Sequence, residues 1–364
     1  MATVEKTIKT GGDYSTIAAW EEDLDESSIY SSGDTAVGLV SGDHEISTKI
    51  TFNSGGTVGL VITRLSVPEA DRHDGTAGSG VTLTISTSNN YCFEATNPSG
   101  DDVRRVVEWL EWDYEDNNHG GDEWISVGSG GGSTIDRAPV FSHNLVHDVD
   151  CGSNIGRIVQ VGGWWSATHN NILYTVRSTS SAYCHGLQCN ERISAVANNT
   201  VYDVATTGSG ANARGLRINS ELGYLRCFNN ISVGTAGTSA ADWYGTWTGS
   251  TIGANNLSSD STAPGGDAVH GESAADLFVS TSGGSEDLHL KSGAAAIGAA
   301  ADLGGSVTVY GNAIGSSTTG TALNFDIDNY DREDADDWDI GADQYVAAAS
   351  AQSAPIIIAA NTAI

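Results

Sequence analysis

Short runs in which apolar and polar residues alternate recur in the central part of the chain. Each run begins at a polar pair that ends in asparagine, and the runs span 143–149, 170–176, 198–204, 229–233 and 255–258. If Asn144, Asn171, Asn199, Asn230 and Asn256 are equivalent, successive members lie 27, 28, 31 and 26 residues apart. A period of two indicates β-strands, and a unit that recurs at a nearly fixed step indicates a solenoid.

A second set of positions repeats with nearly the same step. Residues 186–190 (GLQCN) match 215–219 (GLRIN) at a step of 29, and Gly156 precedes Gly186 by 30. The alternating runs are too short to leave room for a helix in each repeat, which disfavours leucine-rich and helical solenoids. We therefore predict an all-β fold, a right-handed parallel β-helix. Its equivalent asparagines would stack ~4.8 Å apart as a hydrogen-bonded ladder.

Both ends of the chain differ from the repeats. Residues 11–24 place Ile17, Trp20 and Leu24 at spacings of three and four, which predicts a short amphipathic helix. Such a helix would cap the first coil, since an uncovered solenoid end invites strand pairing. The predicted organisation is an N-terminal cap at 1–30, a parallel β-helix domain at 31–345 and an apolar C-terminal tail at 346–364.

The charge of the chain disfavours one class of partner. Lys and Arg total 16 against 46 Asp and Glu, which gives a formal net charge of -30. Such a charge repels phosphate backbones and acidic polysaccharides at low salt, so we expect no nucleic-acid partner. The simplest explanation of the acidity is a surface that self-repulsion keeps soluble.

Cysteine spacing and hydropathy indicate the cellular compartment in which the protein is made. The five cysteines form no CxxC pair, so we expect neither a disulfide framework nor a zinc site, and we interpret them as buried apolar residues. The first residues lack the features of a signal peptide, and no stretch approaches ~18 apolar residues. We expect synthesis in a cytoplasm without a signal peptide, and no membrane partner.

Three segments carry a resemblance to the pectate-lyase-like parallel β-helix proteins. Residues 11–17 (GGDYSTI) resemble the cap that opens many members. Residues 287–298 (DLHLKSGAAAIG) are similar to the segment D-x-H-L-x-x-G-S-P-A-I of that group, and 338–345 (WDIGADQY) to its D-I-G-A-x-E-Y. With the asparagine repeats, the resemblance covers about residues 5–345. It implies the right-handed parallel β-helix fold, and a phage virion protein is one kind of member that it admits.

The resemblance implies no single activity, because this fold carries lyases, glycosidases, adhesins and virion proteins. Ala295 stands where the group has proline, and no catalytic motif of the group is matched. We therefore predict no catalytic, cofactor-binding or metal-binding residue from it.

Two enzymatic alternatives stay open. Lyases of the group resemble one another in using a basic residue to abstract a proton, and the central repeats contain Arg157, Arg214, Arg217 and Arg226. Arg157 and Arg217 could share a face. A glycosidase needs two carboxylates across a groove. The candidates are Asp148, Asp150 and Asp203, with His143, His147 and His169 nearby.

Two further groups of residues could bind ligands. The acidic run 326–331 (DIDNYD) could supply oxygen ligands to calcium, although it lacks the glycine spacing of an EF-hand loop. Four tryptophans could stack on sugars, or pack in the core as large aromatic residues more often do: Trp164, Trp165, Trp243 and Trp247.

The tail beyond Tyr345 contains the apolar segment Pro355, Ile356, Ile357 and Ile358. An exposed apolar, β-prone tail aggregates, so it must pair with another chain or fold back along its own solenoid. We predict these four residues as a partner-binding segment. It would join copies of the chain into a homo-oligomer or bind other structural proteins of the same assembly.

The leading hypothesis is a non-enzymatic structural protein at the surface of a virion. It would be a phage capsid decoration, cement or fibre-like protein that projects an acidic β-helix. The missing catalytic motif, the missing signal peptide and the apolar tail favour it. The alternatives are a carbohydrate-active β-helix, such as a phage depolymerase, lyase or glycosidase, and a glycan-binding adhesin, either of which could be extracellular.

Overall fold

The coils of the chain form a parallel β-solenoid of about seven turns. The computed structural model describes residues 2–87, 92–97, 103–115, 123–129, 138–152, 156–162, 166–179, 183–190, 193–209, 212–219, 224–245, 252–309, 312–314 and 320–347. The turns pass through three parallel sheets, which we call sheets A, B and C. The predicted all-β parallel solenoid is confirmed.

Beyond its first strand, the chain passes through the sheets in the repeating order A, B, C. Sheet A contains β1 (Thr3–Ile8), β2 (Thr35–Val40), β5 (Ile62–Ser66), β8 (Arg104–Glu108), β11 (Val140–Ser142), β15 (Ser166–His169), β18 (Ile193–Ala197), β21 (Tyr224–Phe228) and β24 (Ile252–Ala254). Sheet B contains β3 (His44–Ile46), β6 (Thr82–Ile85), β9 (Glu111–Asp113), β12 (Leu145–His147), β13 (Val149–Asp150), β16 (Ile172–Ser178), β19 (Thr200–Thr206), β22 (Ile231–Val233), β25 (Leu257–Ser258) and β26 (Val269–His270). Sheet C contains β4 (Ile50–Phe52), β7 (Phe93–Asn97), β10 (Glu123–Ser129), β14 (Gly156–Gly162), β17 (Tyr183–Asn190), β20 (Asn212–Asn219) and β23 (Ala241–Gly245).

The predicted asparagine ladder is confirmed at the turn from sheet A to sheet B. Nδ2 of Asn171 donates to Oδ1 of Asn199 at 2.9 Å, and Nδ2 of Asn199 donates to Oδ1 of Asn230 at 2.9 Å. Asn144 and Asn256 continue the series at 3.2 and 3.1 Å. All five side chains are buried. Each amide also bonds backbone groups of its own turn, so the ladder satisfies polar groups that the interior would otherwise leave without partners.

A second column of residues stands immediately before the ladder and has a left-handed backbone. His143, Asn170, Asn198, Asn229 and Asn255 have φ values between 53° and 56°. Asparagine tolerates this conformation better than most residues, which explains why asparagine pairs recur. The first residue of each pair turns the chain, and the second forms the ladder.

The predicted short helix near the N-terminus is also confirmed. Helix α1 (Ile17–Glu22) begins after Thr16, whose side chain accepts a hydrogen bond from the Ala19 amide, and a 3₁₀ turn follows at Asp23–Asp25. Ile17, Trp20 and Leu24 are buried. They join the apolar core inside the coils. The five cysteines are buried, as expected.

One detail of the predicted register is wrong. Gly186 and Gly215 are equivalent, but Gly156 pairs with Cys184, two residues before Gly186. The repeats have different loop lengths, so residue counting alone misplaced this rung.

After β26 the chain runs back along the outside of the coils. We call residues 271–345 the strap. Its described part contains α2 (Ala274–Leu277), the hairpin of β27 (Phe278–Ser282) and β28 (Ser285–Leu290), the hairpin of β29 (Val307–Val309) and β30 (Asn312–Ile314), and a 3₁₀ turn at Arg332–Asp334. Apolar strap residues cover the outer faces of sheets A and B. The domain boundaries proposed at 30 and 345 stay predictions.

The strap is held by the left-handed column. Nδ2 of Asn170 donates to the carbonyls of Leu323 and Phe325 at 3.0 and 2.7 Å. Asn229 exchanges two hydrogen bonds with the backbone of Ala301, at 2.8 and 2.9 Å. The residues of the left-handed column therefore bind the strap on the outside of the coils, while the adjacent ladder asparagines bind one another on the inside.

The two C-terminal segments that carry the resemblance meet in the strap. Asp343 accepts a hydrogen bond from the Leu290 amide, and Asp339 accepts one from Gly298, both at 2.6 Å. The buried guanidinium of Arg332 donates to the carbonyls of Asp339, Gly341 and Asp343. The aspartates of these two segments therefore hold parts of the strap together through hydrogen bonds in this chain.

Candidate functional site

The outer face of sheet C carries a group of basic, amide and aromatic side chains. We call it the arginine face, and it consists of Arg157, Gln160, Tyr183, His185, Gln188, Arg214, Arg217 and Tyr244. Strand pairing aligns Arg157, His185 and Arg214 in one column, and Gln188, Arg217 and Tyr244 in another. Neighbouring rungs of a sheet lie ~4.8 Å apart, so each column is continuous along the solenoid axis.

A bulge explains how two residues three apart reach the same face. Strict alternation would place Arg214 and Arg217 on opposite sides of the strand. Gly215 and Gly186 lie opposite one another, and neither has a partner in the strand register, so the bulge is a bend repeated on neighbouring strands that resets the alternation. A Cβ on Gly215 would lie 2.0 Å from Oγ of Ser232, so the bulge needs glycine there.

The two central arginines lie against tyrosine rings. The guanidinium of Arg214 is 4.5 Å from the ring centroid of Tyr244, and that of Arg217 is 5.8 Å from the ring of Tyr183. Tyr183 is 41% exposed and Tyr244 51%. Together with His185, these side chains line a pocket of about 200 Å³. Exposed aromatic rings beside guanidinium groups suit a ligand that has both apolar surfaces and acceptor oxygens.

The central arginines of the arginine face have no carboxylate in direct contact among the described residues. Within the part of the chain that the structure describes, neither Arg214 nor Arg217 forms an ion pair with a carboxylate, although Arg64, Arg177 and Lys49 each do. Arg217 makes one hydrogen bond there, at 3.3 Å to Oε1 of Gln188. In a chain with 46 acidic residues, the arginine face is therefore a local region of positive charge.

The pKa values of the arginine face reflect crowded positive charge. Burial, followed by the charge of Arg157, lowers the pKa of Arg217. Burial and then Arg217 lower the pKa of His185 to about 3, so that imidazole is neutral near pH 7. An anionic group placed in the pocket would relieve the repulsion between the guanidinium groups.

The candidate site residues named from the sequence lie on different faces of the solenoid. Arg157 and Arg217 share a face as expected, and Arg214 lies there as well, but Arg226 lies on β21 in sheet A. Trp243 is buried, and its indole nitrogen donates to the Leu257 carbonyl at 3.1 Å, so it is a core residue and not a sugar platform. Trp164, Trp165 and Trp247 lie outside the described residues. Sequence analysis missed Tyr183 and Tyr244, because their exposure depends on the bulge.

A second group of charged residues lies on sheet B. His147 is 3.0 Å from Oε1 of Glu111 through Nε2 and 2.9 Å from Oδ2 of Asp148 through Nδ1. Its ring stacks on Tyr174. Burial lowers the pKa of His147, but the hydrogen bonds to Asp148 and Glu111 outweigh it and raise the pKa to about 9. The charged imidazole therefore neutralises part of this acidic group.

The carboxylates named for a glycosidase are each engaged in other contacts. Asp148 and Asp203 stand at equivalent left-handed bends, with Thr175 on the rung between them. Asp203 pairs with Arg177, and Asp150 accepts a hydrogen bond from the Gly152 amide. His143 and His169 are buried beside the asparagine turn, away from Asp148. These groups are engaged in turns and ion pairs.

The acidic run 326–331 forms a turn of the strap. Oδ1 of Asp326 accepts hydrogen bonds from the amides of Asp328 and Tyr330, and Oδ2 accepts one from Gln344. Asp331 accepts one from the side chain of Asn324. Asp328 instead points toward His289, at 3.0 Å.

The predicted partner-binding segment, Pro355, Ile356, Ile357 and Ile358, lies outside the described residues. Among the described residues, no helix has the length and apolarity to cross a membrane. No family model, no curated protein and no solved structure matches this chain.

Proposed function

We propose that the protein is a glycan-binding β-solenoid whose arginine face holds an acidic sugar. The observation that carries the proposal is the pair Arg214 and Arg217. Both stack on tyrosine rings, and neither has a carboxylate partner among the described residues. Guanidinium groups bind carboxylates and sulfates by paired hydrogen bonds, and tyrosine rings pack against the apolar faces of sugars.

The shape of the face fits an extended ligand. The two columns run along the solenoid axis, so polar and aromatic side chains follow one another ~4.8 Å apart. A chain of sugars can follow such a surface, with its acidic group over Arg217 and a ring against Tyr244. The net charge of -30 opposes acidic polymers at long range, so attraction depends on this local region of positive charge.

The test is titration calorimetry with uronate-containing, sialylated, sulfated and neutral oligosaccharides. Arg217→Gln should weaken binding of an acidic glycan by about 10–100-fold, because a charge-assisted hydrogen bond contributes ~1.5–3 kcal/mol. Tyr244→Ala should also weaken it, while Arg226→Gln on sheet A should not. The proposal fails if the wild-type protein binds no acidic glycan, or if Arg217→Gln binds it as tightly.

The same incubations should be analysed for shortened glycans. Products that disappear in Arg217→Gln would turn the proposal from a binding module into a carbohydrate-active enzyme. Intact glycans at saturation would favour the glycan-binding adhesin among the alternatives that the sequence left open. Membership of the pectate-lyase-like group remains part of this proposal, supported by the motifs at 287–298 and 338–345.

We retain a role in a virus particle as a second proposal. It is supported by Val346, an apolar residue that is 58% exposed where the strap ends, and by the apolar composition of the tail. Co-sedimentation with candidate particles of the full chain and of a version ending at Tyr345 tests it. Equal behaviour of the two forms would count against an anchoring tail.

A further inference from the structure

The strap and the loop after β5 bring one imidazole and two carboxylates together outside the arginine face. Nε2 of His289 lies 3.0 Å from Oδ1 of Asp328 and 2.7 Å from the carbonyl oxygen of Asp74. One oxygen of Asp343 completes the group, and the side-chain donors of His289, Asp328 and Asp343 all lie within 4.8 Å of one another. We call these four residues the strap site.

The imidazole is oriented as metal-binding histidines are. Nδ1 of His289 is 2.6 Å from Oδ1 of Asp287, so this carboxylate accepts the Nδ1 hydrogen and directs Nε2 toward the other donors. A carboxylate on the far nitrogen fixes the tautomer and the ring orientation of a ligating histidine. Asp343 is also positioned, because its Oδ2 accepts the Leu290 amide at 2.6 Å.

The spacing of the donors matches a small divalent ion. When metal–ligand bonds are about 2.1 Å long, neighbouring ligands at right angles lie about 3 Å apart. The separations of 2.7 and 3.0 Å around Nε2 are of this size. Asp328 is 41% exposed, which leaves a path from solvent, while Asp343 is buried.

We propose that the strap site binds a divalent first-row transition ion through His289 Nε2, Asp328, Asp343 and the Asp74 carbonyl. One nitrogen and three oxygens favour an ion such as Zn²⁺, Mn²⁺ or Co²⁺ over calcium, because calcium prefers oxygen ligands alone. Binding replaces the Nε2 hydrogen, which leaves as a proton to solvent. The ion then joins the loop at Asp74 to three separate parts of the strap.

Cobalt is the probe of choice, because its visible spectrum reports the ligands directly. Titration of the full chain with Co²⁺ should reach one ion per chain, release a proton and persist in excess Ca²⁺. His289→Gln should remove the spectrum, and Asp287→Asn should weaken binding about 10–100-fold while the chain stays folded. His270→Gln, at an exposed histidine, is the matched control and should bind as the wild type does.

Thermal unfolding supplies a second measurement that does not depend on the cobalt spectrum. Co²⁺ should raise the unfolding temperature of the wild type in proportion to the logarithm of its concentration, and should leave His289→Gln unchanged. The proposal is overturned if Co²⁺ binds His289→Gln as tightly as the wild type, if His147→Gln loses the spectrum instead, or if calcium displaces the ion at equal concentration.

Discussion

Replacing Asn199 by alanine tests whether the asparagine ladder stabilises the coils. Asn199 is fully buried, and its Nδ2 donates to the carbonyls of Thr168 and Ala197 and to Oδ1 of Asn230, at 2.9 to 3.1 Å. Its Oδ1 accepts hydrogen bonds from the backbone and side-chain amides of Asn171, at 3.2 and 2.9 Å. These five contacts share two N–H donors and one acceptor oxygen, so the substitution removes about four hydrogen bonds from the interior.

The expected cost follows from these contacts. A net contribution of ~1 kcal/mol for each hydrogen bond gives about 4 kcal/mol. The Asn171 backbone amide adds to the cost if no water reaches it, since a stranded buried group loses its solvation, whereas Nδ2 of Asn171 keeps the carbonyls of Phe141 and His169. The effect should be largest in the coils next to residue 199, because each repeat of a solenoid contacts only its neighbours.

Urea denaturation followed by circular dichroism measures the free energy of unfolding, and amide hydrogen exchange locates the loss. Asn53→Ala is the matched control, because the Asn53 side chain makes no hydrogen bond within the described residues and should cost less than about 0.5 kcal/mol. The reasoning is refuted if Asn199→Ala costs no more than Asn53→Ala, or if faster exchange is not centred on the ladder.

Three further predictions concern the strap, the arginine face and pH. Arg332→Met removes the buried cation of the strap and should lower the free energy of unfolding by ~3–5 kcal/mol. The loss should appear as faster hydrogen exchange at the Leu290 amide. Unchanged exchange would contradict the packing described. Gly215→Ala should disrupt the bulge and weaken acidic-glycan binding by calorimetry, because the new Cβ would lie 2.0 Å from Oγ of Ser232. Burial lowers the pKa of His169 to about 4, so its contribution to stability is complete above pH 6.5 and is lost as the pH falls toward 4. That contribution is ~3 kcal/mol. Urea denaturation of His169→Gln at pH 7 and pH 4.5 should show a smaller loss than the wild type does, and an equal loss would contradict the assignment.

The cap and the repeats could be predicted because their causes are local. Helix α1 follows from the spacing of Ile17, Trp20 and Leu24, and the ladder follows from asparagines that recur once per coil. Both predictions depend only on the spacing of residues along the chain and on the tendency of apolar side chains to face inward.

The candidate sites depend on contacts that the repeat period does not contain. Arg157 and Arg217 could be placed on one face, but the pairing of Arg217 with Tyr183 requires the bulge at Gly186 and Gly215. A bulge changes which side of a strand every later residue faces, and no alternation of apolar residues indicated it.

The sequence by itself determined the solenoid, its helical cap and the inward asparagine ladder, because these features follow from periods of about one coil and from local backbone preference. Only the tertiary structure decided that the chain turns back after His270 and that the strap covers sheets A and B. It also brought His289 to Asp74, although the two residues are 215 positions apart in the chain. The physical reason is that a solenoid specifies contacts between neighbouring coils. The place where a non-repeating segment docks depends on the shape and hydrogen bonds of a surface that exists only after the coils have stacked.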